Sequence, residues 1–325
     1  MCTAITYLTN HHYFGRNLDL ERSYIEEVAI TPRSYPFKFR HTLDIDQHYA
    51  MIGMAAVVDD YPLYYDATNE HGLSMAGLNF PGNAVYLPFV EEKVNIAPFE
   101  FIPYILGQCK NLAEAEQFLK DINLIRTDFS KQLPLTPLHW MIADKHRAIV
   151  VEPCKDGIFT YENPVGVLTN NPPFDYHLQN LSNYLNLTNQ EPTNRFSSKV
   201  NLNAYSRGMG AIGLPGDLSS ASRFIRAAFT KLNSVTKGDE YSSITQFFHI
   251  LSSVAQQEGC VQVGEAFEKT IYSSCCNTDK GIYYYTTYSN HQITAVALFN
   301  ENLDYNKIVH YPLFNKQNIL YVNNQ

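Results

Sequence analysis

The distribution of strand-like and helix-like segments along this chain excludes most fold classes. Segments rich in β-branched and aromatic residues, such as "CTAITYL" and "YAMIGMAAVV", come first, and others, such as "GIYYYTTYS" and "QITAVALF", come last. Between them, apolar residues recur at helical spacing in two regions, 99–125 and 220–257. This segregation predicts an α+β layered fold with antiparallel sheets and disfavours a repeated βαβ architecture.

Local signals refine this outline. Asn111, followed by Glu114 three residues later, matches an N-cap with a capping box and predicts that a helix begins there. The polar run "ADKHR" between two apolar segments predicts a turn that joins two strands. The Asn-rich segment 178–202 predicts a loop or an extension. Because no linker divides the chain, we expect a single domain that covers residues 1–325.

The composition excludes several classes of function. The 325 residues carry a formal net charge of -8, which disfavours broad binding to nucleic acid and docking on anionic membranes. No stretch approaches ~18 consecutive apolar residues and no signal peptide is recognisable, so we expect a cytoplasmic protein that does not enter membranes. The six cysteines show no CxxC spacing, which predicts reduced thiols and no metal site.

The segment "GMGAIG" (208–213) matches the GxGxxG pattern of dinucleotide-binding turns. That pattern binds a pyrophosphate where a strand leads into it and a helix follows directly. Pro215 and Gly216 interrupt the chain at the point where the helix should begin. We therefore predict a flexible glycine loop here and no nucleotide site.

Cys2 is the residue with the most distinctive chemistry. Removal of Met1 would leave a thiol and a free α-amine on the same residue. The ordinary pKa values of these groups, about 8.5 and about 8, are close enough for the ammonium to favour a thiolate near neutral pH. Cys2 could then act as a nucleophile that carries its own general base. The alternative is a buried strand cysteine without a chemical role.

Two charged residues follow Cys2 at a distance that suits a β-hairpin. A strand returning along "CTAITYL" would bring Arg16 and Asp19 of "FGRNLD" close to the N-terminus. A guanidinium near the sulfur would stabilise a thiolate, and a carboxylate could hold the α-amine by a charge-assisted hydrogen bond. The alternative is an ordinary surface ion pair.

With "MCTAIT", "FGRNLD", "AGLNFPG", "LTNNP" and "GLPGDLSSASRF" in this order, the chain resembles the choloylglycine hydrolase family of N-terminal-nucleophile hydrolases. The resemblance covers essentially the whole chain, and the motifs are most similar to those of the bile-salt-cleaving branch in Gram-positive gut bacteria. It implies a four-layer αββα fold, in which two antiparallel sheets lie between helix layers. It also implies hydrolysis of the amide bond between a bile acid and glycine or taurine, with neither a metal nor an organic cofactor.

The resemblance assigns roles to residues in these motifs. It implies that Cys2 is the nucleophile, that its α-amine transfers protons, and that Asn79 supplies an oxyanion-hole amide. The implied catalytic residues are Cys2, Arg16, Asp19, Asn79, Asn170 and Arg223. Taken singly, Asn79 and Asn170 are also typical turn residues, and Arg223 is a typical solvated helix residue. Asn171 stands where relatives often carry Ser, so a role for Asn171 stays open.

The resemblance also implies substrate contacts and partners. The residues implied to line the substrate groove are Leu18, Leu20, Ile52, Tyr61 and Phe80. Arg207 is implied to face the anionic end of a taurine or glycine conjugate. Members of the family often form homotetramers, for which the segment 178–202 is a candidate contact arm. Two rivals stay open: a penicillin V acylase with the same catalytic residues, and a non-enzymatic ligand carrier of the same fold.

Overall fold

The computed structural model describes residues 1–323 as two large β-sheets with helices on their outer sides. Strands form where β-branched and aromatic residues are concentrated, as the sequence predicts. In chain order the strands are β1 (Cys2–Leu8), β2 (His12–Leu20), β3 (Glu27–Thr31), β4 (Met51–Val58), β5 (Tyr61–Asn69), β6 (Ser74–Asn79), β7 (Val94–Ile96), β8 (Ile122–Leu124), β9 (Leu138–Ala143), β10 (Ala148–Cys154), β11 (Gly157–Glu162), β12 (Val167–Leu168), β13 (Val261–Val263), β14 (Ala266–Asn277), β15 (Ile282–Thr287), β16 (Asn290–Ala297) and β17 (Val309–Pro312).

The helices of the described residues connect and cover these strands. They are α1 (Phe101–Gln108), α2 (Leu112–Leu119), α3 (Phe174–Asn180), α4 (Ser220–Leu232) and α5 (Glu240–Ser252), with short 3₁₀ helices at Pro98–Glu100, Leu181–Tyr184, Met209–Ala211 and Leu298–Asn300. The N-cap predicted at Asn111 is confirmed, because its Oδ1 accepts from the N–H of Glu114 at 3.0 Å. Ser219 and Asp239 cap α4 and α5 in the same way.

The strands form two large antiparallel sheets. The first has the order β12-β1-β2-β14-β15-β16, with β13 added beside β14. The second has the order β11-β10-β9-β6-β5-β4-β3-β17. The predicted turn at "ADKHR" is confirmed, since it joins β9 to its antiparallel neighbour β10. β7 and β8 form a separate parallel pair.

Apolar side chains join the sheets and helices into four layers. One cluster includes Ile5 of the first sheet and Ile30 of the second, and it continues to Phe224 of α4 and Phe247 of α5. A second cluster packs α1 and α2 on the other face of the second sheet, around Trp140. The layer order is therefore helix, sheet, sheet, helix, and the expected αββα fold is confirmed.

The Asn-rich segment 178–202 is not loop throughout. It begins inside α3, and a 3₁₀ helix follows at Leu181–Tyr184. The loop prediction is wrong for this part because Phe174, Leu178 and Leu181 recur at helical spacing and pack against the core. The many Asn and polar residues around them mask this short apolar stripe. No helix within residues 1–323 is long and apolar enough to cross a membrane.

Candidate active site

The β1–β2 hairpin brings three of the predicted site residues together. Cys2 lies opposite Leu18, Arg16 lies opposite Ala4, and the N–H of Asp19 donates to the carbonyl of Met1 at 2.9 Å. The predicted hairpin is therefore confirmed. Arg16 and Asp19 are completely buried and Cys2 is 2% exposed, so a surface ion pair between Arg16 and Asp19 is excluded.

The backbone nitrogen of Cys2 is held at a defined place. It donates to Oδ1 of Asn170 at 2.7 Å. The ammonium of Met1 donates to the carbonyl oxygen of Asp19 at 2.7 Å and forms an ion pair with Glu268. Once Met1 is removed, the nitrogen of Cys2 becomes a free amine, and the side-chain oxygen of Asn170 is in position to accept a hydrogen bond from it.

Asn170 connects most of the site. Its Nδ2 donates to the carbonyl of Asn79 at 2.7 Å, while its Oδ1 also accepts from Arg223 Nη2 at 2.8 Å. Its backbone is fixed as well, because its N–H donates to Ser220 Oγ at 2.8 Å and its carbonyl accepts from His177 Nε2 at 2.9 Å. Asn170 is thus a fixed part of the site and not a solvated turn residue.

Arg223 extends from α4 to the start of β1. Its Nη1 donates to the carbonyl of Cys2 and to Thr3 Oγ1, the latter at 2.7 Å. The side chain is completely buried, which excludes the alternative of a solvated helix residue. Burial lowers the pKa of Arg223, whereas the nearby Asp19 and Cys2 act to raise it.

Arg16 has two guanidinium nitrogens in use and one free, since its Nε donates to the carbonyl of Asn17 at 3.4 Å. Its Nη1 donates to the carbonyls of Tyr65, at 3.0 Å, and Gly77. Its Nη2 is buried and has no hydrogen-bond partner among residues 1–323. Burial opposes the charge of Arg16, but Cys2 is the strongest of the neighbours that raise its pKa above the ordinary value. The guanidinium therefore stays charged beside Cys2 and retains a free donor.

Asp19 is a buried carboxyl with one oxygen free. Its Oδ1 accepts from Thr270 Oγ1 at 2.7 Å, whereas its Oδ2 has no partner among the described residues. Burial raises the pKa of Asp19, and Arg223 and the N-terminal ammonium oppose this rise. Asp19 therefore needs these cations to remain ionised.

A cavity of about 460 Å³ opens beside these groups. Cys2, Arg16 and Asn79 line it together with two of the predicted groove residues, Leu18 and Leu20. Most of the remaining wall is apolar or aromatic: Leu63, Tyr65, Phe99, Ile102, Phe129, Leu133, Leu135 and Trp140. Glu21 and Arg22 add charge to the lining. Its volume lies in the range of small-molecule sites.

Four predicted substrate contacts do not line this cavity, and these predictions are corrected. Ile52 is completely buried in the core, and Phe80 is buried with its ring stacked on His139 at 4.2 Å between centroids. Tyr61 lies behind the wall, with its ring 6.0 Å from that of Phe99. Arg207 lies in an exposed segment outside the cavity lining.

Sequence reasoning missed most of the cavity wall. The segment 129–138, "FSKQLPLTPL", supplies Phe129 and a continuous run of lining residues from Gln132 to Leu138. The sequence offers one signal for this wall, a loop segment with two prolines that also contains three leucines. Exposed loops are seldom so apolar, so these leucines indicate a loop that is partly buried. Within residues 1–323 no group of three or more His, Cys, Asp or Glu side chains could hold a metal ion.

Comparison with known proteins agrees with this architecture. A family model described as linear amide C–N hydrolases, choloylglycine hydrolase family, matches residues 2–311. A bile salt hydrolase/transferase from Lactiplantibacillus plantarum is 58% identical over 314 residues, which are 96% of this chain and 97% of the relative.

Solved structures agree as well. A mutant conjugated bile acid hydrolase from Clostridium perfringens has a TM-score of 0.92 at 38% identity and covers 99% of this chain and 100% of its own. A penicillin V acylase from Agrobacterium tumefaciens, at 16% identity, has a TM-score of 0.73 over 95% of this chain and 90% of its own, so it shares the fold. The motif order, the two stacked sheets and these matches lead to one conclusion: the chain belongs to the choloylglycine hydrolase family of linear amide C–N hydrolases.

Proposed function

We propose that this enzyme hydrolyses the amide bond between a bile acid and glycine or taurine, with Cys2 as the nucleophile after removal of Met1. The observation that carries the proposal is the position of Cys2. It lines an apolar cavity while its backbone nitrogen is held by Asn170. The 58% identity to a protein described as a bile salt hydrolase/transferase supports the choice of substrate.

In the acylation step, the α-amine of Cys2 accepts the thiol proton, and the sulfur attacks the amide carbonyl. A C–S bond forms, and the carbonyl oxygen becomes an oxyanion. The side-chain amide of Asn79, which lines the same cavity, can donate to that oxyanion. The α-ammonium then protonates the leaving nitrogen, the C–N bond breaks, and glycine or taurine departs as an amine.

In the deacylation step, water attacks the thioester while the α-amine removes one of its protons. The C–S bond breaks, the free bile acid leaves, and the proton returns to the sulfur. The free Nη2 of Arg16 supports a thiolate role for Cys2 in both steps. Arg223 and Asn170 hold the carbonyl and the nitrogen of Cys2, so they position the nucleophile.

Substrate binding follows from the cavity wall. A bile acid is a rigid amphipathic plate, and the wall offers aliphatic contacts from Leu18 and Leu20 with aromatic contacts from Phe99 and Phe129. Burial of the steroid against this wall would hold its amide bond beside Cys2.

Side-by-side turnover tests the proposal and its rivals. We expect the processed enzyme to hydrolyse taurocholate and glycocholate faster than penicillin V, as measured by release of taurine or glycine from the bile salts and of phenoxyacetic acid from penicillin V. The Cys2→Ala variant should bind taurocholate without hydrolysing it. Preferred turnover of penicillin V would favour the acylase. Binding of bile salts by the processed wild-type protein without turnover would favour the ligand carrier.

We also propose that the protein assembles as a homotetramer. The predicted contact arm, segment 178–202, presents large apolar side chains to solvent: Leu185 is 86% exposed and Phe196 84%, and Tyr205, just beyond the segment, is 83% exposed. Exposed apolar groups in one segment are typical of an interaction surface. Light scattering should give four chains for the wild type and fewer for Phe196→Asp. Leu43→Asp is the matched control, because Leu43 is 86% exposed outside this segment. A wild-type monomer would contradict the proposal.

A cytoplasmic location is a further part of the proposal. Its support is chemical, because a reducing compartment keeps Cys2 as a thiol and also protects the exposed Cys260 from oxidation. Fractionation of the producing cells should place the activity with a cytoplasmic marker enzyme. Activity in the culture medium of intact cells would contradict this location.

A further inference from the structure

A buried histidine and a buried glutamate lie next to the candidate active site and have no part in the steps proposed above. His139 is on β9 and Glu152 is on the neighbouring β10. Their side chains are 0% and 1% exposed, and His139 Nδ1 is 3.2 Å from Glu152 Oε1. Neither residue is among those that line the cavity. A buried polar pair of this kind is costly unless its contacts are satisfied.

His139 contacts the segments that carry both site amides. Phe80, which directly follows Asn79, stacks on the His139 ring at 4.2 Å with an interplanar angle of 6°. His139 Nε2 donates at 2.8 Å to the carbonyl of Thr169, which directly precedes Asn170. Since that carbonyl can only accept, Nε2 carries a proton. His139 Nδ1 faces Glu152 Oε1 on the neighbouring strand, so the ring is held between Thr169 and Glu152.

Glu152 extends the link to a third segment. Its Oε1 also accepts from the N–H of Phe174 at the start of α3, at 3.0 Å. From α3, His177 Nε2 donates to the carbonyl of Asn170 at 2.9 Å. Thr169 and the carbonyl of Asn170 itself therefore depend, directly or through α3, on the His139–Glu152 pair.

We propose that His139, oriented by Glu152, is a positioning residue that sets the separation of the Asn79 and Asn170 amides. This inference rests on the proposed function, because the distance matters only if Asn79 stabilises an oxyanion next to a Cys2 nitrogen held by Asn170. A shift of about 1 Å in such groups can reduce a rate by about 100-fold. A residue that only filled the core would not affect the rate of the folded enzyme.

Two substitutions at His139 separate packing from positioning. His139→Phe keeps an aromatic ring against Phe80 but removes both hydrogen bonds. His139→Gln loses the ring but keeps an N–H donor that can reach the carbonyl of Thr169. We expect His139→Phe to lower kcat for taurocholate by about 10- to 100-fold with KM within about twofold, and His139→Gln to recover most of the loss. Glu152→Gln keeps the shape of the side chain and should give an intermediate loss of kcat. This variant tests the proposal even where His139→Phe fails to fold.

Alkylation of Cys2 by iodoacetamide supplies a second readout. The sulfur displaces iodide from a saturated carbon, so the reaction needs the thiolate but no oxyanion amide. Its rate, followed by mass on the N-terminal peptide to separate it from Cys260, should stay within about twofold of wild type in all three variants. His310→Phe is the matched control, since His310 forms a similar pair with Glu27, at 2.6 Å, but on the surface. It should change neither rate.

The possible outcomes decide between the explanations. Selective loss of kcat with normal alkylation supports positioning by His139. An unchanged kcat in His139→Phe, or parallel losses of hydrolysis, alkylation and melting temperature, would overturn it. Failure of the wild-type enzyme to hydrolyse any bile salt would instead refute the proposed function, so the two failures are distinguishable.

Discussion

Replacement of Asn79 by Ala isolates the proposed oxyanion contact. Asn79 ends β6 opposite Leu138, and its carbonyl accepts from Asn170 Nδ2 at 2.7 Å. Both contacts use the backbone and persist in the variant. Asn79 lines the cavity, and its side-chain amide makes no hydrogen bond within residues 1–323, so the substitution removes little from the folded state. Loss of one oxyanion donor costs about 2.7–4 kcal/mol, which is about 10²- to 10³-fold in kcat.

Steady-state hydrolysis of taurocholate, with amine release as the signal, measures this loss. We expect kcat to fall by about 10²- to 10³-fold, with little change in KM or in the melting temperature. Asn171→Ala is the matched control, because Asn171 lies next to Asn170 but its Nδ2 donates to the carbonyl of Pro81 at 2.7 Å. Its kcat should stay within about threefold of wild type. A large loss in Asn171→Ala with none in Asn79→Ala would assign the oxyanion role to Asn171 and refute this reasoning.

Three further predictions concern binding, pH and packing. Leu20→Ala should raise KM for bile salts by about 3- to 10-fold, because it removes part of the ~1.5–3 kcal/mol gained by burying a Leu side chain. The control Leu8→Ala, at a residue that is 65% exposed, should leave KM unchanged. Equal KM values in the two variants would exclude Leu20 from the groove. Burial lowers the pKa of His12 to about 4. Between about pH 6.5 and 4 the unfolded chain therefore binds a proton at His12 that the folded chain does not. As the pH is lowered through this range, the free energy of unfolding falls by about 1.4 kcal/mol per pH unit. Urea unfolding should show a shallower acid slope for His12→Gln, and an identical slope would contradict this origin. Gly15→Ala should prevent folding, as judged by circular dichroism, since the added Cβ would lie 2.0 Å from the carbonyl oxygen of Ser274. A folded, active variant would contradict this close packing of β2 against β14.

The backbone arrangement of the site could be predicted from sequence because its signals are local. The strands on either side of "TNHH" fix a hairpin, and the hairpin fixes the neighbours of Cys2. Arg16 and Asp19 stood out as charged residues inside a strand-forming run. Such residues are seldom buried without a specific partner.

Leu18 and Leu20 apart, the groove residues could not be predicted because the sheets are covered on both faces. Six consecutive residues from Met51 to Ala56 are buried, so alternation does not tell which way Ile52 points. A shift of register between Met54 and Ala55 further disturbs the pattern. The remaining wall comes from loops such as 129–138, whose course depends on packing against distant strands. The contact between His139 and Thr169 is likewise set by tertiary structure.

The central claim is that Cys2 acts only when its α-amine is free. A chain in which a removable extension replaces Met1 tests this directly, if a site-specific protease then releases Cys2 as the first residue. Intact mass should identify both forms, and taurocholate hydrolysis should be measured on each. We expect hydrolysis to be at least about 10³-fold slower before cleavage and to reach the full rate after it. Equal hydrolysis by the uncleaved chain would contradict the role of the amine and the mechanism built on it.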